Sequence, residues 1–407
     1  VVPFAEASGS LNMSESKPNR ALSDQLMRLP IYLDNHATTA VDTRVAGLVY
    51  RVMTEQFGNP NSVDHCYGTA AALLIDQASA EVARLVEAEP GDVRFTSGST
   101  EAIRFALAYA ADRSPNSVLR LAVGRNEHAA VLDAAAAAAA QGWATIGWMN
   151  VDEVGRVPLA SLQGALNQGV DLVCLMAANN EVGTLQDVAT AARLAHSVNA
   201  RLLVDATQAA GRVDLRARSW DLDYLILNAH KIYGPKGVGA LVGPDLATAD
   251  PPRRYAGHQT TPNTPALAGF GEACRLRRCE MANDEPKIAA LRDRLQAQLL
   301  AAIPGLAING DLDHRLSNNL HVSAPGAPSD LVVLHLRETV AISTGAACAS
   351  GADAPSHVLR AMGLPAWRQD GALRISLGRS TTEDEIERAG DAIIAAIRAV
   401  QAINIES

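Results

Sequence analysis

Residues 227–241 read LNAHKIYGPKGVGAL and follow residues 201–208, RLLVDATQ, so that Lys231 stands twenty-six positions beyond Asp205. Each segment is a short apolar run that ends in polar residues. A Schiff-base cofactor with a pyridinium nitrogen needs a lysine amine and an acidic partner, and two strand ends offer that pair. The pattern points to pyridoxal phosphate. A lysine between a strand and a glycine-rich turn is also a common solvated charge, so the reading depends on its surroundings.

Outward from this pair, VRFTSG (93–98), LRLAVG (119–124), DLVCLMAANN (171–180) and LDYLILNA (222–229) repeat the apolar theme. Longer alanine- and leucine-rich segments separate them. Buried strands alternating with helices predict an α/β fold, a mostly parallel sheet flanked by helices on both faces. Ligands of such sheets gather at the carboxyl ends of the strands. Thr96 to Gly98, Asn179 and Asn180, Asp205 and Gln208, and Asn228 to Lys231 all occupy such ends and are predicted to share one crevice.

After about Phe270 the pattern turns helix-rich, with PKIAALRDRLQAQLLAAI (286–303) and TTEDEIERAGDAIIAAIRAV (381–400). The expected organisation is a tail at 1–30, a large cofactor-binding domain at 31–270 and a smaller C-terminal α/β domain at 271–407. Residues 31–43 are expected to pack on the smaller domain. Thr382 and Glu385 have capping-box spacing for the last helix. The run Ala134–Ala140 has high helix propensity and reads as a buried helix.

At 407 residues and 48% hydrophobic, the chain can bury a large core. Its net charge of −9 argues against a general nucleic-acid or anionic-membrane surface. No run approaches the roughly twenty apolar residues of a membrane span, and residues 1–30 carry no recognisable targeting pattern. Residues 1–12 precede Met13 and read as either an artificial leader or a processed tail. The five cysteines, Cys66, Cys174, Cys274, Cys279 and Cys348, include no CxxC pair and suit a reducing, cytoplasmic setting. No metal site is expected.

The segment TSGSTEA (96–102) supplies a turn and helix start at Ser99 and Thr100, the local chemistry that holds phosphate. Alone, it reads equally as an ordinary helix cap.

Nine segments lie in one order: YLDNHATTAVDTRV (32–45), FGNPNSVDHCYG (57–68), FTSGSTEA (95–102), NEHAAVLDAA (126–135), ANNEVGTLQDV (178–188), VDATQAAGR (204–212), AHKIYGPKGVGAL (229–241), STGAACAS (343–350) and LRISLGRSTTEDEI (373–386). In this order the chain resembles the cysteine desulfurases, in the longer-loop branch of the class V aminotransferase-like, fold-type I pyridoxal phosphate enzymes. The resemblance runs from about Ile31 to about Ala399.

It implies a role for each matching residue. Lys231 would carry pyridoxal phosphate and then move protons at the substrate α-carbon, while Asp205 would pair with the pyridinium nitrogen. Ser99, Thr100, Asn228 and His230 match phosphate-side positions, and Thr261 matches a threonine that reaches a partner subunit's cofactor. Asn180 and Gln208 match contacts to the phenolic side, and His128 matches the histidine that stacks on the ring. Arg374 matches the grip on the substrate α-carboxylate, with Asn180 beside it. Cys348 lies in a small-residue stretch suited to a mobile loop; there it would take sulfur from L-cysteine as a persulfide, leaving L-alanine. A homodimer and a sulfur acceptor, such as a scaffold or thiolation enzyme, are implied.

Some positions depart from the family pattern. Asn228-Ala229 stands where Ser-Gly is usual, Ile103-Arg104 replaces an Asn pair, and the stretch before Thr261 is short and lacks the usual arginine. The alternatives left open are a cystine or selenocysteine lyase, an aminotransferase, or a weakly active sulfur-assembly platform. Cys174 reads as an inert core thiol; Cys66 sits in a segment that the resemblance places near the site.

Overall fold

The computed structural model describes residues 29–255, 261–344 and 356–405. In chain order the strands are β1 (Ile31–Tyr32), β2 (Val93–Thr96), β3 (Leu119–Gly124), β4 (Ala144–Met149), β5 (Leu172–Met176), β6 (Arg201–Asp205), β7 (Tyr224–Asn228), β8 (Gly239–Val242), β9 (Ala307–Ile308), β10 (Asn319–Ser323), β11 (Val340–Ala341), β12 (Ser343–Thr344) and β13 (Ala372–Ser376). Seven of them form the main sheet in the order β2-β8-β7-β6-β5-β3-β4. β8 runs antiparallel to both its neighbours, β2 and β7, and the other four pairings are parallel. The α/β architecture with a mostly parallel sheet is thus as the sequence pattern implies. The strands β4 and β8 were not among the runs singled out above, because Trp148 and the surrounding glycines obscure their apolar character.

Strands β5, β7 and β8 are buried along their whole length, as expected of a sheet covered on both faces. One apolar cluster joins Val173, Leu175, Val204 and Leu225 to Phe270 and Leu276; on the opposite face Phe105, Leu121, Leu203 and Ile226 form another. The helix Ala129–Ala140 buries Val131, Ala135 and Ala138 but exposes Ala136, Ala137 and Ala140. The expected helix forms, and the alanine run covers the sheet with one face while the other stays exposed.

A further cluster is built from Leu320, Val322, Leu373, Ile375, Ile386 and Ile393. It surrounds the antiparallel sheet β12-β13-β10-β9. Leu33 belongs to this cluster, and β1 pairs with β11. The helix Thr264–Ala302 runs through the boundary expected at residue 270: Phe270 and Leu276 pack on the main sheet, whereas Ile288, Leu295 and Leu299 pack with the second cluster. The last helix, Glu383–Ile405, starts with the capping box, since Thr382 N donates to Glu385 at 2.9 Å and Glu385 N donates to Thr382 Oγ1 at 3.2 Å.

The loop after β5 turns at Gly183, whose φ is +77° and whose added Cβ would stand 2.5 Å from Asn319 Cγ. Both the conformation and the contact exclude a side chain. Gly183→Ala is expected to lower unfolding free energy by about 1–3 kcal/mol, measured by urea denaturation; an unchanged midpoint would contradict the turn's assignment.

Candidate active site

The carboxyl ends of β2, β3, β5, β6 and β7 all open on one crevice, as the topology of a parallel sheet requires. At β2 the chain turns into the helix Ser99–Asp112, whose N-cap is Gly98 and carries no side-chain cap. Its first amides thus have no side-chain acceptor at the cap position, the arrangement that receives an anion. Ser99 Oγ lies 2.8 Å from Thr207 Oγ1 and accepts from Asn228 Nδ2 at 3.0 Å. Asn228 therefore supports Ser99, an effect of the asparagine that its sequence position alone did not disclose.

Asp205 ends β6, is 5% exposed and accepts from Thr207 N at 2.9 Å. Lys231 follows β7 in a short 3-10 turn, Ala229–Lys231. Its ammonium donates to the carbonyls of His36 and, at 2.8 Å, Ala37. Gln208 Nε2 donates to the same His36 carbonyl at 2.9 Å. The two side chains from different strand ends are therefore fixed on one turn of the N-terminal segment.

His36 continues the network. Its Nδ1 lies 3.1 Å from the carbonyl of Asn180 and its Nε2 lies 3.2 Å from Asn318 Oδ1. Burial, then the cations Arg374 and Arg212, hold its pKa down to about 3. His230 is likewise lowered to about 4, chiefly by burial and then by Lys231 and Lys236. Both imidazoles are neutral at pH 7.

Arg374 comes from β13 and is 2% exposed. Its Nη2 donates to Asp34 Oδ1 at 2.9 Å and its Nη1 to the Asn180 carbonyl at 3.3 Å. Asn179 shapes the loop that carries Asn180, because its Oδ1 accepts from the amides of Glu181 and Val182. His128 caps the helix Ala129–Ala140, its Nδ1 accepting from Ala130 N at 3.1 Å.

Of the residues singled out from sequence, Ser99, Asn180, Asp205, Gln208, Asn228, Lys231 and Arg374 share this hydrogen-bonded region, and His230 adjoins it through Thr38, 3.2 Å from its Nδ1. Thr100 and Thr261 are exposed. Cys348 lies outside the described residues. Asp34, His36, Thr207 and Glu127 were missed; the polar residues of YLDNHATT and NEHAAV were the available signal. Ile103 is fully buried beside Phe105, so it serves the core. Cys174 is also fully buried and its thiol is pushed up by burial, whereas Cys66 is exposed at the start of the helix Cys66–Leu85.

Residues 31–389 match the family model of class-V aminotransferases. A curated cysteine desulfurase of Frankia sp. (strain EuIK1) is 39% identical over 390 residues, spanning 92% of this chain and 93% of that protein. The cysteine desulfurase IscS of Anaeromyxobacter sp. (strain Fw109-5) is 36% identical over 379 residues, covering 91% and 93%. The chain belongs to the cysteine desulfurase family. It is an enzyme of that family, and the solved structure of a NifS-like protein superposes with a TM-score of 0.81 at 30% identity, covering 91% of this chain and 100% of the other.

The Asp34–Arg374 pair joins the N-terminal segment to β13 with one partner nearly buried. Removing the carboxylate leaves a buried guanidinium without its counter-ion. Asp34→Asn is expected to destabilise the protein by about 2–3 kcal/mol, toward the low end because Asp34 is partly exposed. Chemical denaturation at pH 7 measures it, and a loss under about 0.5 kcal/mol would place the pair among ordinary surface bridges.

Proposed function

We propose that the enzyme is a pyridoxal phosphate-dependent cysteine desulfurase that converts L-cysteine to L-alanine and carries the sulfur as a persulfide on Cys348. The observation that carries this reading is the placement of Asp205 and Lys231 at neighbouring strand ends, beside an uncapped helix N-terminus and across from the buried Arg374. The side chains fit the group. Asp205 would hold the pyridine nitrogen, Ser99 and the amides of its helix the phosphate, with Thr100, Asn228 and His230 at the same end. Buried Asn180 Oδ1 and Gln208 Oε1 have no hydrogen-bond partner among the described residues and suit a polar ligand between them. When bound, pyridoxal phosphate supplies the electron sink for charge at the substrate α-carbon.

The chain's own groups perform the remaining work in this reading. Arg374 orients the substrate through its α-carboxylate, a task suited to a planar guanidinium. Lys231 would hold the cofactor and, with its amine free, would move a proton at the α-carbon; the carbonyls of His36 and Ala37 accept from that amine. His128 would pack against the cofactor and assist proton movement. The Cys348 thiolate attacks the substrate sulfur, the carbon–sulfur bond breaks with its electrons on the carbon side, and protonation there yields alanine.

The same reading makes the enzyme a homodimer that passes sulfur to an acceptor protein, such as a scaffold or thiolation enzyme. Tyr50, Met53, Phe57, Val63, Tyr67 and Leu73 are large, apolar and exposed along two N-terminal helices and the loop between them. Such a surface suits a second copy. Thr261, also exposed, would then reach the partner's cofactor phosphate.

Purified protein with added pyridoxal phosphate is expected to show a visible absorption band that L-cysteine shifts, with one alanine formed per sulfur transferred. Lys231→Ala should abolish turnover, and Cys348→Ala should abolish protein-bound persulfide. Full sulfur transfer by Cys348→Ala would overturn the persulfide route. A separate expectation is that Met53→Glu with Phe57→Asp shifts the sedimentation coefficient from dimer to monomer; an unchanged dimer would exclude this face as the contact.

A further inference from the structure

Arg374 is set in place by two segments that lie against β13. Ser343 of β12 is its register partner in the antiparallel pair, so the two side chains stand on one face of the sheet. Beyond β12, residues 33–35 follow the same edge of β13: Ser376 N donates to the Leu33 carbonyl at 2.7 Å, and Asn35 N donates to the Ser376 carbonyl at 3.1 Å. Asp34 is thereby the bridge partner of Ser376. Ser376 is two residues beyond Arg374 and shares its face, and there the Asp34 carboxylate meets the guanidinium. Both of its oxygens are in use. Oδ1 accepts from Arg374 Nη2 at 2.9 Å, and Oδ2 accepts from Ser343 Oγ at 2.8 Å. Ser343 is 8% exposed, and the bond to Asp34 uses its hydroxyl proton. Arg374 Nε is buried with no hydrogen-bond partner among the described residues.

We propose that Asp34 and Ser343 are positioning residues that present the Arg374 guanidinium to the α-carboxylate of the substrate, and that Ser343 thereby sets the preference for an amine that carries a carboxylate. This rests on the role given to Arg374 above. An unpaired arginine attracts any anion through its charge. Here Asp34 offsets that charge, so recognition of a carboxylate depends on N–H groups that are aimed, and the direction of the guanidinium decides the grip. A carboxylate tied down at one oxygen can still turn about its side-chain torsions and take the guanidinium with it. The Ser343 bond to the second oxygen removes that freedom and adds no charge.

Two ligands that differ only in the carboxylate test this: L-cysteine, and cysteamine, which is L-cysteine without its carboxylate. The parent protein is the full chain loaded with pyridoxal phosphate and carrying Cys348→Ala, so that no sulfur passes to that residue and binding is read from the shift of the visible band. Added to this parent, Ser343→Ala is expected to weaken L-cysteine about tenfold, the effect of one lost hydrogen bond to a charged group, and to leave cysteamine unchanged. Ser343→Thr keeps the hydroxyl on a residue that suits a strand and is expected to match the parent for both ligands. The cysteamine shift shows, in each variant, that the site has formed.

If Ser343→Ala weakens both ligands alike, or neither, the serine serves only the fold and the proposal is overturned. The same holds if Ser343→Thr loses L-cysteine affinity as Ser343→Ala does. Arg374→Gln separates this failure from failure of the underlying reading. Loss of the preference for L-cysteine in Arg374→Gln, with the preference kept in Ser343→Ala, overturns the positioning role alone. A preference kept in Arg374→Gln removes Arg374 from carboxylate binding and the proposal with it.

Discussion

The crevice depends on one constraint: residues 34–39 must hold their turn, closed by Ala37 N donating to the Asp34 carbonyl at 3.0 Å, between two hydrophobic cores. The main-chain carbonyl of His36 accepts from both Lys231 and Gln208, while its amide donates to the hydroxyl oxygen of Ser376 at 2.9 Å. One residue thus binds the main sheet through its carbonyl and the C-terminal sheet through its amide. Thr39 N donates to the His230 carbonyl at 2.9 Å and secures the far end. Buried backbone groups must find partners, and here those partners are the side chains that define the site.

Charge follows the same geometry. Asp34 balances Arg374, and Arg277, 1% exposed, is balanced by Asp284 and Glu285 while its Nε donates to the Gly211 carbonyl at 2.8 Å. Arg379 pairs with Asp42 and Glu280, lies 4.7 Å from the Tyr233 ring centroid, and connects the last β-turn to the long helix and the N-terminal segment. A buried ion pair adds little net stability compared with apolar packing, but its loss is costly. These pairs accordingly fix the relative placement of the two cores more than they deepen either one.

Within that frame the site combines neutral imidazoles with charged lysine, arginine and aspartate. Burial disfavours extra charge, so His36 and His230 stay neutral beside cations. Hydrogen bonding can then orient the rings without adding positive charge next to Lys231 and Arg374.

Much of this was legible in the sequence. Strand ends are marked by apolar runs that stop at polar residues, so Asp205, Gln208, Asn180 and Lys231 could be grouped from a parallel-sheet topology, and the capping box at Thr382 and Glu385 is a local hydrogen-bond pattern. The ordered motifs carried the family. Local pattern could not reveal that Asn228 supports Ser99, that Ile103 is core, that the alanine helix is half exposed, or that the helix Thr264–Ala302 serves two cores. Nor could it pair Asp34 with Arg374, 340 residues apart, or bring the buried Glu127 carboxyl onto Met176 N at the end of β5. Periodicity reports which face of an element is apolar and where it ends; which polar ends meet, and which of them lose water and so shift their protons, is decided by long-range packing alone.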